Sequence, residues 1–597
     1  MLKKILNKYF ESFSYFYSHL RYRIFVVVAF SILIGVLDGF GLSMFLPLLK
    51  VVNNSESSGG EENPEQLEVL VNLIEGIGLE LNLVTVLTFM VFFFLAKGII
   101  QYFSSVYRIN VQQWFIEKIR INNIKGLNRL AYKYFVQSDV GRIQNTMTGE
   151  VDRVAGAYFN YFKAFEYSIL VVVYMVFAFT MNAQFAILVT IGGGVTNFLY
   201  KRLYKSTKSL SKDLTGENNN FQSLVIQNVT NYKYLKATGF SNSYGKKLIE
   251  SVLEIKNNNI KIGKLDALLT SGREPILIIV VVLVIWIQLS FFDAEFGPIL
   301  ISLLFFYRAL NYLMQMQVRW NKFLSVSGSL ENMQEFMQEL KQHRETTGSD
   351  VIKDNLNDLN LKDIEFKYGN TKILDSLSLS IENKESIAFV GESGSGKTTL
   401  INVIAGLLPI NGGNYFINGI NYANLQNQTY QKRIGYITQD PVIFNETIFN
   451  NITLWQDRTS KNLELFWEVV KKAALFDFVN TLPEKENTVL ENNGANLSGG
   501  QKQRISIARE LFKDIDVLIL DEATSALDSE TESIIQRNID SLKGQYTVII
   551  VAHRISTIKN ADRIVIMKKG QITEIGKYED LIDKSEYFSK LVELQEL

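Results

Sequence analysis

The sequence predicts a multidomain chain of mixed class (α + α/β), a helical membrane domain followed by a soluble α/β domain. Three observations carry that reading. Long apolar runs separated by charged stretches fill the first half, and the second half alternates short apolar runs with Gly-rich turns. The charge divides at the same place. Of 61 Lys+Arg and 61 Asp+Glu, residues 1–350 hold 34 and 27, leaving 27 and 34 for 351–597, so a net charge of zero is +7 followed by −7.

Composition excludes several classes. With no Cys, disulfides, thiolate catalysis and Cys-based metal sites are out, and three His leave little for a His-rich metal cluster. The balanced total argues against a nucleic-acid partner, which calls for a basic footprint. At about 150 residues per domain, 597 residues would make three or four units, but six spans count as one. The expected division is a membrane domain at 1–330, a linker at 331–350 and a soluble domain at 351–597.

An apolar helix of about 20 residues crosses the ~30 Å hydrocarbon core. Six such segments are predicted, at 24–49, 84–106, 163–181, 183–203, 274–292 and 296–318. The polar stripe of a soluble helix is missing from runs such as Val280–Ile287. Ahead of them, Met1–Phe13 places Leu2, Ile5, Leu6, Tyr9, Phe10 and Phe13 on one helical face and Lys3, Lys4 and Lys8 elsewhere. That pattern fits a helix lying on the membrane surface.

Charge sets the orientation. Val51–Ala96 has no Lys or Arg but seven Glu (Glu56, Glu61, Glu62, Glu65, Glu68, Glu75, Glu80), whereas cations crowd Arg108–Arg142 and Lys201–Lys264. The positive-inside rule puts both basic connections, both termini and the soluble half in the cytoplasm. Each connection reads as two long helices past the membrane surface, turning near Phe135–Arg142 and near Glu217–Val229.

In the second half, strand-like Ser386–Val390 runs into Gly391, Glu392, Ser393, Gly394, Ser395, Gly396, Lys397, Thr398 and Thr399, then a helical LINVIAGLL. This is G-x-x-x-x-G-K-[ST] between a strand and a helix. Backbone N–H groups of the glycine loop converge on phosphates, and the helix N-terminus adds its positive dipole end. Lys397 is expected on the β/γ-phosphates and Thr398 on Mg²⁺. Asp516–Glu522 is an apolar strand ending in two acids, the usual companion of such a loop. Asp521 is expected to hold Mg²⁺ and Glu522 to polarise the attacking water as general base. His553, after the TVIIVA run, is placed to meet the γ-phosphate.

Between them stand Leu497, Ser498, Gly499, Gly500 and Gln501, followed by KQRISIARELF. LSGGQ between a phosphate loop and VLILDEATSALD resembles the nucleotide-binding domain of ABC (ATP-binding cassette) transporters. The resemblance covers the whole chain, six spans and then one cassette, as in an exporter-type half-transporter. It implies that ATP is clamped between the phosphate loop of one copy and Ser498–Gln501 of a second, so the partner is another copy of the chain. It also implies that Tyr368 in IEFKYGN stacks on adenine and that Gln439 in YITQDPVIFN links Mg²⁺ and the attacking water to the membrane domain. Asp528, in Ser525–Asp528, would cross the dimer interface, and His553 would act as the switch histidine. One departure stands out: Glu491 lies one position early, and Asn492 occupies the acid's usual place before LSGGQ.

The implied activity is ATP hydrolysis coupled to export or flipping across a prokaryotic plasma membrane. Charges in or beside spans are costly and often functional, and here they are Asp38, Glu166, Arg273, Glu274, Arg308 and Arg319. Arg308 and Arg319 lie about three helical turns apart, roughly on one face, and with Arg273 make a basic lining for a phosphate-bearing headgroup. The DGFGLSMFLPLLK stretch is similar to lipid-linked oligosaccharide flippases, so an amphipathic or lipid-linked substrate and membrane lipids are the expected partners. A multidrug or peptide exporter is the alternative, and an ATP-gated channel on the same scaffold a third reading.

Overall fold

The computed structural model describes residues 13–45, 47, 48, 51, 76, 80, 82–181, 183–291, 296–522, 529–551 and 554–596. The surface helix expected at Met1–Phe13, save Phe13 itself, and the acidic run Glu56–Glu75 lie outside them. Two units emerge, Met1–Leu130 with Ser138–His343, and Ala131–Gln137 with Arg344–Leu597.

The first unit is helical. Among the described residues, Arg23–Ser43, Leu83–Leu127, Gly149–Thr180 and Ser241–Ile287 are long and apolar enough to cross a membrane. The stretches expected at 183–203 and 296–318 lie within the helices Ala183–Thr230 and Phe296–Leu324. Hydrocarbon offers backbone groups no partner, so a helix that bonds internally is the stable form of such runs. Asn82 starts one of them, its Oδ1 accepting the Thr85 N–H at 2.8 Å. Small residues permit close approach. A Cβ on Gly39 would stand 2.2 Å from Phe177 Cε2, and one on Gly35 3.0 Å from Leu170 Cδ2. Phe92, Leu95, Ile99 and Phe103 point outward and exposed, as lipid contact requires.

Several helices run on well past their apolar stretches. The Val140–Met147 helix is capped by Asp139, which accepts the Arg142 N–H at 3.0 Å and the Ser223 hydroxyl at 2.7 Å. Gly141 lets it touch Ala183–Thr230, because a Cβ there would lie 2.5 Å from Ser223 Cα. The second turn falls at Tyr232–Ala237 rather than at Glu217–Val229, which is uninterrupted helix. Asn218 and Asn219, inside the expected turn, are bonded within the packed helices. Asn218 Nδ2 donates to Leu214 O at 2.7 Å, and Asn219 Oδ1 accepts from Asn145 at 2.6 Å. The expected linker at 331–350 is also helical as far as Gln342, with Met333, Phe336 and Leu340 buried.

The described residues of the second unit form two sheets. Strands β1 (Asp358–Tyr368), β2 (Thr371–Glu382), β4 (Gly412–Ile417) and β5 (Ile420–Asn421) form an antiparallel sheet in the order β2-β1-β4-β5. Strands β3 (Ser386–Val390), β6 (Ile434–Ile437), β7 (Val517–Asp521), β8 (Thr547–Val551), β9 (Arg563–Lys568) and β10 (Gln571–Gly576) make the second, in the order β10-β9-β3-β8-β7-β6. From β9 to β6 this sheet is parallel. Its strands are near-continuous apolar runs because both faces are covered; β3 and β8 are buried throughout.

Candidate functional site

Ligands of parallel α/β sheets sit beyond the carboxyl ends of the strands. There β3 delivers Gly391–Thr399, β7 delivers Asp521 and Glu522, and β6 delivers Gln439. His553, after β8, and Asp528 with Ser525–Leu527, after Glu522, lie outside the described residues.

The phosphate loop needs its glycines. A Cβ on Gly391 would lie 2.2 Å from Met567 O, and Gly394 and Gly396 adopt φ of 81° and 103°, the left-handed region. Gly396 caps the helix Lys397–Ile404. Lys397 Nζ donates to Gly391 O at 2.7 Å and to Glu392 O at 3.0 Å. Burial pushes its ammonium below the ordinary lysine range, while Glu522 and Asp521, close by, pull it back up. Among the described residues, Ser395 Oγ is buried without a protein partner. A buried hydroxyl is costly unless bonded, and a phosphate oxygen is an acceptor that would satisfy it. Thr398 is exposed on the first turn. The carboxylate and hydroxyl oxygens of Asp521 and Thr398 are the hard donors that suit Mg²⁺ together with phosphate oxygens.

Glu522 has φ +50°, a conformation that costs a non-glycine residue about 1 kcal/mol or more and collects at functional sites. Its N–H donates to Val551 O at 2.9 Å, so β8 holds it there. Gln439 Nε2 donates to Glu522 Oε2 at 2.8 Å, bringing two expected site residues together.

Ser498 is the N-cap of the helix Gly499–Phe512. Its Oγ accepts the Gln501 N–H at 3.3 Å, while Gln501 Oε1 accepts the Ser498 N–H at 2.8 Å, a reciprocal capping box. This is a second helix N-terminus suited to an anion, away from the phosphate loop in sequence. Just before it, Asn493 and Gly494 take φ of 53° and 62°, and Gly494 N–H closes on Glu491 O at 2.7 Å, leaving Glu491 exposed. Tyr368 ends β1 half-buried, edge-on to Phe366 at 4.8 Å. The short helix Tyr132–Gln137 lies beside it, with Lys133 Nζ on Lys367 O at 3.1 Å.

The intramembrane charges sort differently from their spacing. Asp38 is 1% exposed, bonded to Lys97 Nζ at 2.5 Å and to the Tyr174 hydroxyl. It is an internal pair rather than an open cavity wall. Tyr174 stacks on Tyr312 at 5.4 Å, and Tyr312 lies within electrostatic reach of Asp38 and Arg308. Arg319 donates to Asn160 Oδ1 at 3.3 Å and lies over Phe159. It lies within electrostatic reach of Lys163, which like Arg108 pairs with Glu166, Lys163 at 3.1 Å. The Arg273 side chain lies outside the described residues. Sequence reasoning passed over Lys97, Arg108 and Lys163; Lys97 had a signal, being the cation inside the span predicted at 84–106.

Residues 24–318 match the ABC transporter transmembrane region and residues 374–525 the ABC transporter family. The ATP-dependent lipid A-core flippase of Francisella tularensis subsp. holarctica (strain OSU18) is 28% identical over 510 residues, covering 82% of this chain and 81% of the relative. The heterocyst differentiation ATP-binding protein HepA of Nostoc sp. is 28% identical over 489 residues, 82% of this chain and 80% of that one. A solved bacterial Atm1-family ABC exporter with ATP bound shares the fold, at TM-score 0.79 and 22% identity over 97% of this chain and 99% of its own. A transmembrane region followed by an ABC transporter domain, the two matches together covering most of the chain, places it among the ABC transporters.

Proposed function

We propose that two copies of this chain form the working transporter, hydrolyse Mg²⁺–ATP at two shared sites, and move a phosphate-bearing amphipathic lipid out of the cytoplasmic leaflet of a prokaryotic plasma membrane. One chain supplies two half-sites, the loop Gly391–Thr399 and the Ser498 helix end, and a second copy completes each. Tyr232 and Tyr234 stand exposed at the second turn, apolar surface that a partner copy would cover. The basic connections Arg108–Arg142 and Lys201–Lys264 support a cytoplasmic position for the ATP-binding domain.

In this reading Lys397 and the loop amides hold the phosphates, Thr398, Asp521 and Gln439 hold Mg²⁺, Tyr368 meets adenine, and Asp528 faces the partner. Glu522 takes the proton of the attacking water, with Gln439 and His553 fixing the water and the γ-phosphate. ATP favours the closed pair of domains, and that differential affinity moves the membrane helices.

The substrate rests on one observation: Arg108 and Lys163 both pair with the carboxylate of Glu166, and Arg319 lies within electrostatic reach of Lys163. Beside spans, such an excess of positive charge is stabilised by an anion. The name of the Francisella relative points the same way. ATPase stimulation across phosphorylated lipids, neutral glycolipids and hydrophobic drugs tests it. Stimulation selective for phosphate-bearing lipids is expected, and an equal response to neutral ones would overturn it.

A further inference from the structure

Three residues before Gln439, a tyrosine joins three elements of the ATP site. The Tyr436 hydroxyl stands 3.2 Å from Asp521 Oδ2 and 3.3 Å from Asn402 Oδ1, on the helix that follows the phosphate loop. One proton serves one acceptor at a time, and the ionised carboxylate makes the stronger bond. Strand β6 is the sheet edge, with β7 along one side only. On its other side the Tyr436 N–H donates to Glu510 Oε2 at 3.2 Å. Glu510 is buried near the end of Gly499–Phe512, the helix that Ser498 begins, and pairs with Lys513 at 2.8 Å. Gly435 makes room for that helix, since a Cβ there would stand 2.8 Å from Ile515 Cδ1 and 3.2 Å from Glu510 Cβ.

We infer that Tyr436 is a positioning residue for the Asp521 carboxylate, and that through Glu510 it ties the setting of that carboxylate to the Ser498 helix. A carboxylate that ligates a cation works only in a fixed orientation, and donors behind it supply that orientation. A displacement of the Ser498 helix, where the partner's ATP would bind, is then passed through β6 to Asp521. The inference rests on the reading of Asp521 as a Mg²⁺ ligand.

The test compares wild type, Tyr436→Phe, Glu510→Ala and Asp521→Asn as full chains in detergent. It measures Mg²⁺ half-saturation of ATPase, binding of a fluorescent ATP analogue with Mg²⁺ and with EDTA, and thermal melting. Tyr436→Phe should raise the Mg²⁺ requirement about tenfold, the usual loss on removing an outer-shell partner. It should weaken binding with Mg²⁺ and leave binding in EDTA unchanged. Glu510→Ala should shift the Mg²⁺ requirement the same way by about threefold, as loss of one hydrogen bond predicts, and it carries the test if Tyr436→Phe fails to fold. A lower melting temperature with an unaltered Mg²⁺ requirement in the variants that fold would overturn the inference and leave Tyr436 a packing residue. If Asp521→Asn keeps the wild-type Mg²⁺ dependence, the metal assignment itself is wrong. If Asp521→Asn loses it while Tyr436→Phe does not, only the inference about Tyr436 fails.

Discussion

Gln439 donates from Nε2 to Glu522 Oε2 at 2.8 Å, joining the end of β6 to the end of β7 across adjacent strands. The bond holds a carboxylate on a left-handed backbone, a placement that serves chemistry better than stability. Glu522→Gln should therefore lower phosphate release by about a hundredfold or more, the usual share of a general base, with ATP binding retained. Nucleotide-trapping and phosphate-release assays check this. Steady turnover by the variant would remove Glu522 from the role of base.

Asp38 and Lys97 are a buried pair, so breaking it from one side should cost more than replacing both. Asp38→Asn leaves the Lys97 ammonium without its carboxylate and should destabilise the folded chain by about 3 kcal/mol. Asp38→Asn with Lys97→Met should recover most of that loss. Thermal melting in detergent reads both, and equal melting temperatures for the two would show that the pair contributes nothing.

Asp139 predicts a pH dependence. Burial acts to raise its pKa, but the Ser223 hydroxyl and the N–H groups of Arg142 and Gly141 outweigh it and hold the carboxyl below its ordinary 3.8. A depressed carboxylate contributes stability that is complete above the unfolded value and is lost as pH falls through the folded one. Asp139→Ala should thus cost about 1 kcal/mol, the typical worth of an N-cap. That difference should stay flat from about pH 5 to 8 and shrink only below 3.8. Unfolding of both proteins as a function of pH measures it.

The cluster at Glu166 makes predictions of opposite sign. Arg319→Gln removes a cation and should raise the concentration of phosphate-bearing lipid needed for half-maximal ATPase stimulation about tenfold, as loss of one charge-assisted bond implies. Glu166→Gln removes the competing anion and should lower that concentration. Stimulation curves across a titration of one phospholipid decide, and shifts in the same direction would contradict the assigned charge balance.

Much of this site is legible in the chain because its chemistry is local. Gly391–Thr399, Asp516–Glu522 and Leu497–Gln501 are contiguous stretches whose residue types carry the expectation of what they bind. The pairs that cross between helices are not legible. Asp38 and Lys97 are 59 positions apart, Asp38 and Tyr174 136, and periodicity tells which face a charge occupies but not which helix it meets. Helical spacing suggested a face shared by Arg319 and Arg308 but not that Arg319 would meet Asn160 and lie near Lys163. The second turn falls later than expected for a similar reason, since Asn218 and Asn219 are bonded within packed helices. Tyr436 went unnoticed because its partners come from three separate elements.

The central claim is that ATP hydrolysis drives a phosphate-bearing lipid across the membrane. Its most direct test is transbilayer movement of a fluorescent phosphate-bearing lipid in liposomes reconstituted with the chain. The account predicts movement that requires ATP and Mg²⁺, stops with Glu522→Gln, slows with Arg319→Gln, and is much weaker for a neutral lipid with the same tails. Active ATPase without ATP-dependent movement of that lipid, or equal movement of the neutral one, would contradict it.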